Sequence, residues 1–306
     1  MDWIIYTLIF LLVMLALVWL YIGLYVAMTI VTPTVRTLEQ TEDEENQRDD
    51  GLMVYYHQHI TDDYTIKSLK GYKLYVYEMI LNPSIKKFVV ISHGYTYSHH
   101  GSIKYAKMMT ELGYNVVMYD HRFHGKSGGK NATLGYYESM DLKTVIDHIF
   151  KTYGSNIFLG TYGESMGSAT CLVEQANDSR VKFVVTDAGF KDLKVLIKHR
   201  LKVQKLSPIL FYGVANFFVW LISGSSLSQV RPIDAIKSSQ IPIFFIHGKQ
   251  DDFIPYQHAI DMYDAYHGPK KMYIADGNAY HARSYYADKK RYFRELSNFM
   301  KDLVNH

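Results

Sequence analysis

The chain has 306 residues, a length that fits one catalytic domain with a short extra element. Its composition, 48% hydrophobic and 21% charged with a formal net charge of +3, suits a globular protein with a substantial core and excludes an intrinsically disordered chain. The basic residues form no dense cluster, so we expect no nucleic-acid partner, and Cys171 is the only cysteine, which excludes an intrachain disulfide and a thiolate zinc site.

The first predicted element is an apolar helix near the N-terminus. Residues 3–31 contain no charged side chain, and as a helix they would reach roughly 43 Å, more than the roughly 30 Å hydrocarbon core of a bilayer. A buried core helix rarely stays uncharged for so long. A cleavable signal peptide would have a shorter apolar region, a basic start and a small-residue cleavage site. We therefore predict an uncleaved single-pass transmembrane anchor over residues 1–34.

An acidic, polar segment follows this anchor. Residues 35–52 are interpreted as a solvated spacer between the membrane and the catalytic domain. Arg36 and Arg48 are the basic residues near the anchor, and the positive-inside rule then favours a cytoplasmic C-terminal domain. An N-terminal signal anchor favours the opposite orientation, so both sides of the membrane stay open.

Residues 53–306 alternate short β-rich runs with helical patterns, which is typical of an α/β fold. Two early runs, 53–57 and 72–79, are predicted to be strands that join the sheet antiparallel. The later runs are short and rich in Val, Ile and Phe, as buried parallel strands require; they are 88–92, 115–119, 156–159, 181–186, 243–246 and 272–275. Helices are predicted at 103–112, 137–151, 166–174, 256–266 and 290–303.

Residues 190–240 interrupt this alternation. They separate two predicted strands by far more residues than a crossover helix needs. Their apolar content, which includes Phe211, Phe217 and Trp220, predicts helices that cover an apolar surface. A cap over an active site is the functional interpretation, and an ordinary extra helical layer is the alternative.

The strongest catalytic motif is Gly163-Glu164-Ser165-Met166-Gly167, which follows a predicted strand and opens a predicted helix. In that setting a G-x-S-x-G sequence predicts a nucleophile elbow, because the glycines permit a sharp bend that exposes the serine hydroxyl. The helix N-terminus also favours negative charge near Ser165. An ordinary structural turn is the alternative interpretation.

A serine nucleophile needs a base that a carboxylate orients, and in this arrangement the chain order is serine, acid, histidine. Asp251 follows the strand predicted at 243–246, at the carboxyl end where α/β sheets place functional groups. Asp252 is its rival. His281 follows the strand predicted at 272–275 and is the candidate base.

Acyl transfer also needs hydrogen-bond donors for the developing oxyanion. The backbone N–H groups of Met166 and Tyr95 are the candidates, because one follows the nucleophile and the other lies in the loop after an early strand. His93 is expected to position that loop. His99 and His100 are expected to be merely exposed, since further metal ligands at usable spacing are missing from the sequence. We therefore expect no metal site.

These motifs together resemble the serine aminopeptidase-like and prolyl-oligopeptidase-like branch of the α/β-hydrolase superfamily, over residues 53–304. The resemblance rests on His93-Gly94-Tyr95, Asp120 to Ser127, the elbow, His247 to Pro255 and His281. It implies the α/β-hydrolase fold with a mostly parallel eight-stranded sheet, a Ser165–Asp251–His281 triad, and no cofactor. The family usually carries D-x-R-G-H-G-x-S in the second motif, so Phe123 replaces a glycine, and we expect an altered loop beside an unchanged triad.

The family spans esterases, lipases, thioesterases and peptidases, and so supplies no substrate. The aromatic insertion and the predicted anchor favour a small-molecule ester or acyl substrate that is apolar or amphiphilic. We therefore expect a membrane-anchored carboxylesterase or lipase that works through an acyl-enzyme. A peptidase or amidase of the same fold is one alternative. It would need a site for the charged terminus of a peptide, and Glu164 is a candidate that does not by itself indicate such a site. A non-catalytic, membrane-tethered binding module is the other.

Overall fold

The computed structural model describes residues 2–303, and its strands form one eight-stranded sheet with the order β1-β2-β4-β3-β5-β6-β7-β8. The strands are β1 (Asp62–Lys67), β2 (Lys73–Met79), β3 (Lys87–Ser92), β4 (Asn115–Tyr119), β5 (Phe158–Glu164), β6 (Val181–Asp187), β7 (Ile243–Gly248) and β8 (Lys270–Ala275). β1 and β2 pair antiparallel with each other and β2 pairs antiparallel with β4, while the other pairs are parallel. The predicted α/β-hydrolase architecture is confirmed.

The helices surround this sheet or lie at its carboxyl edge. They are α1 (Asp2–Val31), α2 (Leu38–Arg48), α3 (Asp50–His59), α4 (Ile103–Glu111), α5 (Tyr136–Tyr153), α6 (Met166–Glu174), α7 (Leu193–Val203), α8 (Pro208–Ser223), α9 (Pro232–Ala235), α10 (Gln257–Ala265), α11 (Ser284–Ala287) and α12 (Lys289–Asp302). Neighbouring residues of the central strands face opposite helical layers, as the alternation of a strand requires. In β3, Val89 and Ile91 pack with helices α4 and α12, whereas Phe88 and Val90 pack with α5 and α6.

The first predicted strand, residues 53–57, is wrong, because these residues belong to helix α3. Leu52, Met53 and Tyr56 form the buried face of this helix, at the spacing that one helical turn gives. The strand predicted at 72–79 is confirmed as β2, which joins the sheet antiparallel beside β4. Its antiparallel partner on the outer side is β1, which the sequence analysis did not identify. It is an edge strand with four exposed residues among six, so it lacks the apolar run of a buried strand.

The segment interpreted as a solvated spacer contains helix α2, which packs against the body of the protein. Thr37 begins this helix with a capping box that includes the side chain of Gln40. The expected exposure of His99 and His100 is wrong, because α2 and α3 cover both side chains. His100 Nδ1 lies 2.9 Å from Thr41 Oγ1, and His99 Nε2 lies 3.1 Å from the Tyr56 hydroxyl.

Helix α1 is long and apolar enough to cross a membrane. Its first seventeen described residues, 2–18, are exposed, and the buried residues lie in its last three turns. Those turns pack against the residue 190–240 insertion, which folds mainly as α7, α8 and α9. Val26 and Ile30 of α1 share an apolar cluster with Leu196 of α7, Val219 of α8 and Met166 of α6. The insertion and α1 therefore lie together over the carboxyl edge of the sheet.

Candidate active site

Ser165 lies in the sharp turn between β5 and α6. Its backbone has φ 55° and ψ −113°, a conformation that residues with a side chain rarely adopt. A Cβ atom at Gly163 would lie 2.2 Å from the carbonyl oxygen of Gly167, and a Cβ atom at Gly167 would lie 2.0 Å from that of Ser92. Only glycine permits this close approach of helix and strands. The Ser165 N–H donates to the Asp187 carbonyl oxygen at 2.8 Å, which holds the turn.

The structure brings the serine, the histidine and one of the two candidate acids together. Ser165 Oγ lies 2.9 Å from His281 Nε2, and His281 Nδ1 lies 2.7 Å from Asp251 Oδ2. Both distances are those of hydrogen bonds. Asp251 is buried, whereas Asp252 is exposed and makes no ion pair within residues 2–303. The geometry therefore favours Asp251 over Asp252 as the carboxylate that orients His281.

Four hydrogen bonds fix the Asp251 carboxylate. Its Oδ1 accepts from the backbone N–H groups of Phe253 and Ile254 at 3.0 and 2.8 Å, and its Oδ2 accepts from His281 and from His247 Nε2 at 3.1 Å. Burial acts to raise the pKa of Asp251, but the hydrogen bonds from the two histidines outweigh it and hold the pKa well below its usual range. The carboxylate is therefore ionised and fixed in direction.

His247 is a site residue that the sequence reasoning did not identify. Its side chain is fully buried at the end of β7, where Nε2 lies 2.8 Å from the Ile254 carbonyl oxygen as well as 3.1 Å from Asp251. Its place four residues before Asp251, at the carboxyl end of a strand, was the available signal. His247 positions the carboxylate that orients His281.

The loop after β3 lies against the serine. A Cβ atom at Gly94 would lie 3.7 Å from Ser165 Cβ, so the backbone passes close to the hydroxyl. Within residues 2–303, the N–H groups of Tyr95 and Met166 donate no backbone hydrogen bond outside helices and strands. His93 is buried behind this loop, where Nδ1 contacts the Gly94 carbonyl oxygen at 2.7 Å and Nε2 accepts from the His121 N–H at 2.9 Å.

The Asp120 to Ser127 loop supports the same region. Phe123, which stands where the family has glycine, has φ +66°, the left-handed conformation that glycine adopts at lower cost. Its N–H donates to the Gly128 carbonyl oxygen at 2.7 Å. His124 Nε2 accepts from the Thr96 N–H at 3.1 Å and thereby holds the residue after Tyr95.

A buried polar network lies beneath the serine. The Glu164 carboxylate lies 2.5 Å from Lys104 Nζ and accepts from the Tyr105 hydroxyl at 2.6 Å. The Asp187 carboxylate accepts from Ser284 and Tyr292 at 2.8 and 2.9 Å, and burial raises its pKa. The Glu164 carboxylate is thus already occupied by a buried cation.

Two cavities meet at Ser165 and Tyr95. The first, of about 210 Å³, is mostly apolar and extends between α1 and α7; it is lined by Val26, Thr29, Ile30, Tyr95, Leu134, Ser165, Met166, Phe190, Leu196, Ile197, Arg200, Leu201, Gln204, Phe253 and Ile254. The second, of about 260 Å³, is polar and lies on the other side of the hydroxyl; it is lined by Arg36, Arg48, Gly94, Tyr95, Tyr97, Gly101, Lys104, Glu164, Ser165, His281, Ala282 and Arg283. A molecule bound across Ser165 would therefore have one apolar end and one polar end.

Comparison with known proteins places the chain in a family. Residues 83–223 match the family model described as serine aminopeptidase, S33. The Bacillus subtilis protein YqkD is 32% identical over 244 residues, which cover 78% of this chain and 79% of YqkD. The lysophosphatidylserine lipase ABHD12 of Xenopus tropicalis is 24% identical over 65% of this chain and 51% of its own length.

Solved structures share the fold. The Pyrococcus furiosus esterase Pf2001 superposes with a TM-score of 0.65 at 24% sequence identity, over 79% of this chain and 90% of the esterase. At this identity, the similarity establishes the arrangement of the sheet and its helices.

Proposed function

We propose, since the chain belongs to the α/β-hydrolase superfamily in its serine aminopeptidase-like branch, that it is a serine hydrolase that cleaves carboxylic esters while α1 anchors it in a membrane. The observation that carries this proposal is the hydrogen-bonded series Ser165–His281–Asp251 at the junction of an apolar and a polar cavity. A binding module would need a cavity but would not need this series.

In the first half of the proposed reaction, His281 Nε2 takes the proton of the Ser165 hydroxyl, and Oγ attacks the ester carbonyl carbon. The N–H groups of Tyr95 and Met166 donate to the oxygen as it becomes negative. The Asp251 carboxylate, which accepts from His281 Nδ1, stabilises the imidazolium. The tetrahedral intermediate collapses, His281 returns its proton to the leaving alcohol oxygen, and the acyl group remains on Ser165.

In the second half, water replaces the alcohol. His281 takes a proton from the water, whose oxygen attacks the acyl carbon, and the same two N–H groups stabilise the second oxyanion. Collapse releases the carboxylic acid, and the proton on His281 returns to Ser165 Oγ. Because this chain supplies each proton acceptor and donor from its own side chains, the proposal needs no cofactor.

The two cavities support an amphiphilic ester. The apolar cavity suits an acyl chain, whereas the polar cavity, which Arg36, Arg48 and Lys104 line, suits a polar leaving group. ABHD12, a similar protein, is named a lysophosphatidylserine lipase, and Pf2001 is named an esterase. Both names favour esters over amides. Glu164, the candidate receptor for a charged peptide terminus, is already paired with Lys104 in a buried ion pair, which disfavours a peptidase.

Labelling by a fluorophosphonate tests the proposed nucleophile directly, because this reagent reacts with an activated serine. The full chain should be labelled, and the Ser165→Ala variant should not. Failure of the folded full chain to react would favour the binding module. Reaction of the full chain with no turnover of any ester would favour an amide substrate.

A further inference from the structure

The turn between α7 and α8 carries an apolar surface whose purpose the proposed reaction does not explain. Ile209, at the beginning of α8, is 93% exposed, and Leu210 and Val203 are also exposed. Further along the same helix, Phe217, Trp220 and Leu221 are exposed as well. Exposed apolar side chains that lie this close together indicate a surface that another phase or molecule covers.

This surface lies beside the exposed part of α1. The Trp19 Nε1–H donates to the Leu210 carbonyl oxygen at 2.8 Å. One turn further along both helices, a Cβ atom at Gly23 would lie 2.6 Å from two methyl carbons of Val214. α8 therefore runs parallel to α1 and begins at the level of Trp19, away from the sheet.

The length of α1 places that level within a bilayer. Residues 3–18, which stand clear of the body of the protein, would span about 24 Å at about 1.5 Å per residue. The hydrocarbon core of a bilayer is about 30 Å thick, so an α1 that spans it must place roughly four further residues within the core to cover the remaining thickness. Those residues, 19–22, lie beside the first turn of α8. A bilayer that α1 crosses must therefore also receive Ile209 and Leu210.

The charges around the turn complement anionic headgroups. The sequence has no acidic residue between Asp192 and Asp234. Besides Arg231, which pairs with both of these aspartates, this stretch carries Lys194, Lys198, Arg200, Lys202 and Lys205. Within the described part of the chain, none of these five cations forms an ion pair. Long basic side chains that flank apolar residues are typical of elements that lie in a membrane interface.

The apolar cavity reaches the same place. Val26 of α1 and Arg200 and Gln204, near the end of α7, line the cavity that extends to Ser165. Resting on the membrane anchoring proposed above, we propose that residues 202–211, the α7–α8 turn, are a second membrane-inserted element beside α1. Insertion lets the cavity open to the lipid, so that the acyl chain of a membrane-resident ester enters it directly from the bilayer.

A fluorescent probe at the turn tests this proposal. The full chain carrying Ile209→Cys is labelled with an environment-sensitive fluorophore in vesicles of phosphatidylcholine and phosphatidylglycerol; Cys171 is fully buried and should not compete. The expected result is a blue-shifted emission that acyl-chain-brominated lipids quench. Leu81→Cys is the matched control, because Leu81 is an exposed leucine at the opposite edge of the sheet, before β3. Its label should stay in water.

The outcomes separate this proposal from the one on which it rests. A water-like emission from position 209 on protein that α1 retains in the vesicles would overturn the insertion alone. A blue-shifted emission that brominated lipid does not quench would also overturn it, because the turn would then be covered by protein. Loss of the chain from the vesicles would overturn the anchoring and the insertion together. Failure of Ser165 to react with a fluorophosphonate in the same sample would overturn the hydrolase function only.

A paired activity assay tests the role of the turn in substrate entry. The double variant Ile209→Glu/Leu210→Glu places two charges in the proposed inserted surface, outside the residues that line the cavity. We expect at least a tenfold lower rate with a long-chain ester embedded in vesicles and an unchanged rate with a short, water-soluble ester. Leu81→Glu should change neither rate. Equal rates for the double variant and the unsubstituted chain on the embedded ester would overturn the proposed entry path.

Discussion

The hydroxyl of Tyr95 donates a hydrogen bond to the carbonyl oxygen of Ile30 at 2.7 Å, and it lies 2.9 Å from that of Thr29. This contact joins the apolar helix α1 to the residue whose backbone N–H is the proposed oxyanion donor. Ile30 and Tyr95 also line the apolar cavity. The proposed membrane anchor is therefore part of the wall and the support of the proposed active site.

Tyr95→Phe should weaken this connection without removing the oxyanion donor, which belongs to the backbone. Loss of one hydrogen bond should lower the free energy of unfolding by about 1 kcal/mol, and looser positioning of the N–H should lower kcat for an ester severalfold. Tyr75→Phe is the matched control, since its hydroxyl donates to the exposed Asp63 of the edge strand β1, away from the site. An equal loss of kcat in the two variants would contradict a specific role for the Tyr95 hydroxyl.

Gly23→Val should separate α1 from α8. The new side chain would collide with Val214, a buried and stiff residue, so one helix must move. We expect overpacking to lower the free energy of unfolding by about 1 to 3 kcal/mol, measured by thermal unfolding in detergent micelles. Ala16→Val adds volume to the exposed part of the same helix and should have little effect. Equal stability of the two variants would show that the helix contact is not close.

His247→Leu should lower kcat for esters by about tenfold or more, because the Asp251 carboxylate would lose one of its hydrogen-bond donors. His247→Gln keeps a donor at a similar distance and should restore most of the rate. The measurement is kcat and KM for both variants with one ester. If the two variants lost activity equally, His247 would be needed only for packing.

The local sequence predicted the turn at Ser165 and its approach to His281, because a nucleophile elbow requires glycines at fixed positions and a fixed order of partners. Ser165 and His281 accordingly lie within hydrogen-bond distance. The sequence favoured Asp251 and left Asp252 as a rival, since a shift of one residue decides which side chain points inward. That choice depends on the turn after β7, whose N–H groups at Phe253 and Ile254 both donate to Asp251.

Long-range contacts explain the errors. His99 and His100 carry polar side chains in a loop, which alone predicts exposure, but α2 and α3 fold back over them from an earlier part of the chain. Residues 53–57 mix apolar and polar side chains in a run too short to separate a helix from a strand. Helix α3 forms there because its buried face packs into the helical layer that also contains α4 and covers one face of the sheet.

Glu174 should make the stability of the protein depend on pH. Both of its carboxylate oxygens are buried and lack a hydrogen bond within the described residues. Burial, and then the nearby Asp178, raises the pKa of Glu174 to about 8. The folded state therefore holds a proton that the unfolded state releases, so this group lowers the free energy of unfolding as pH rises from roughly 4.5 to 8.

Glu174→Gln removes this titration and keeps the shape of the side chain. At pH 9 it should raise the free energy of unfolding by on the order of a few kcal/mol, and at pH 5 it should change it little. Thermal unfolding at the two pH values measures the difference, and Glu39→Gln, on the exposed side of α2, controls for the change in net charge. A stabilisation of equal size at both pH values would contradict the proposed titration of Glu174.

Hydrolysis of p-nitrophenyl esters of increasing acyl length, by the full chain and its Ser165→Ala variant, tests the central claim most directly. The account predicts turnover that improves beyond the acetyl ester, because the acyl group lies in the apolar cavity, and a fall in kcat of about 10⁴-fold or more in the variant. Asp252→Asn, which alters an exposed carboxyl next to the site, should retain most of the activity. Undiminished hydrolysis by Ser165→Ala, with the Asp252→Asn variant equally active, would contradict Ser165 as the nucleophile.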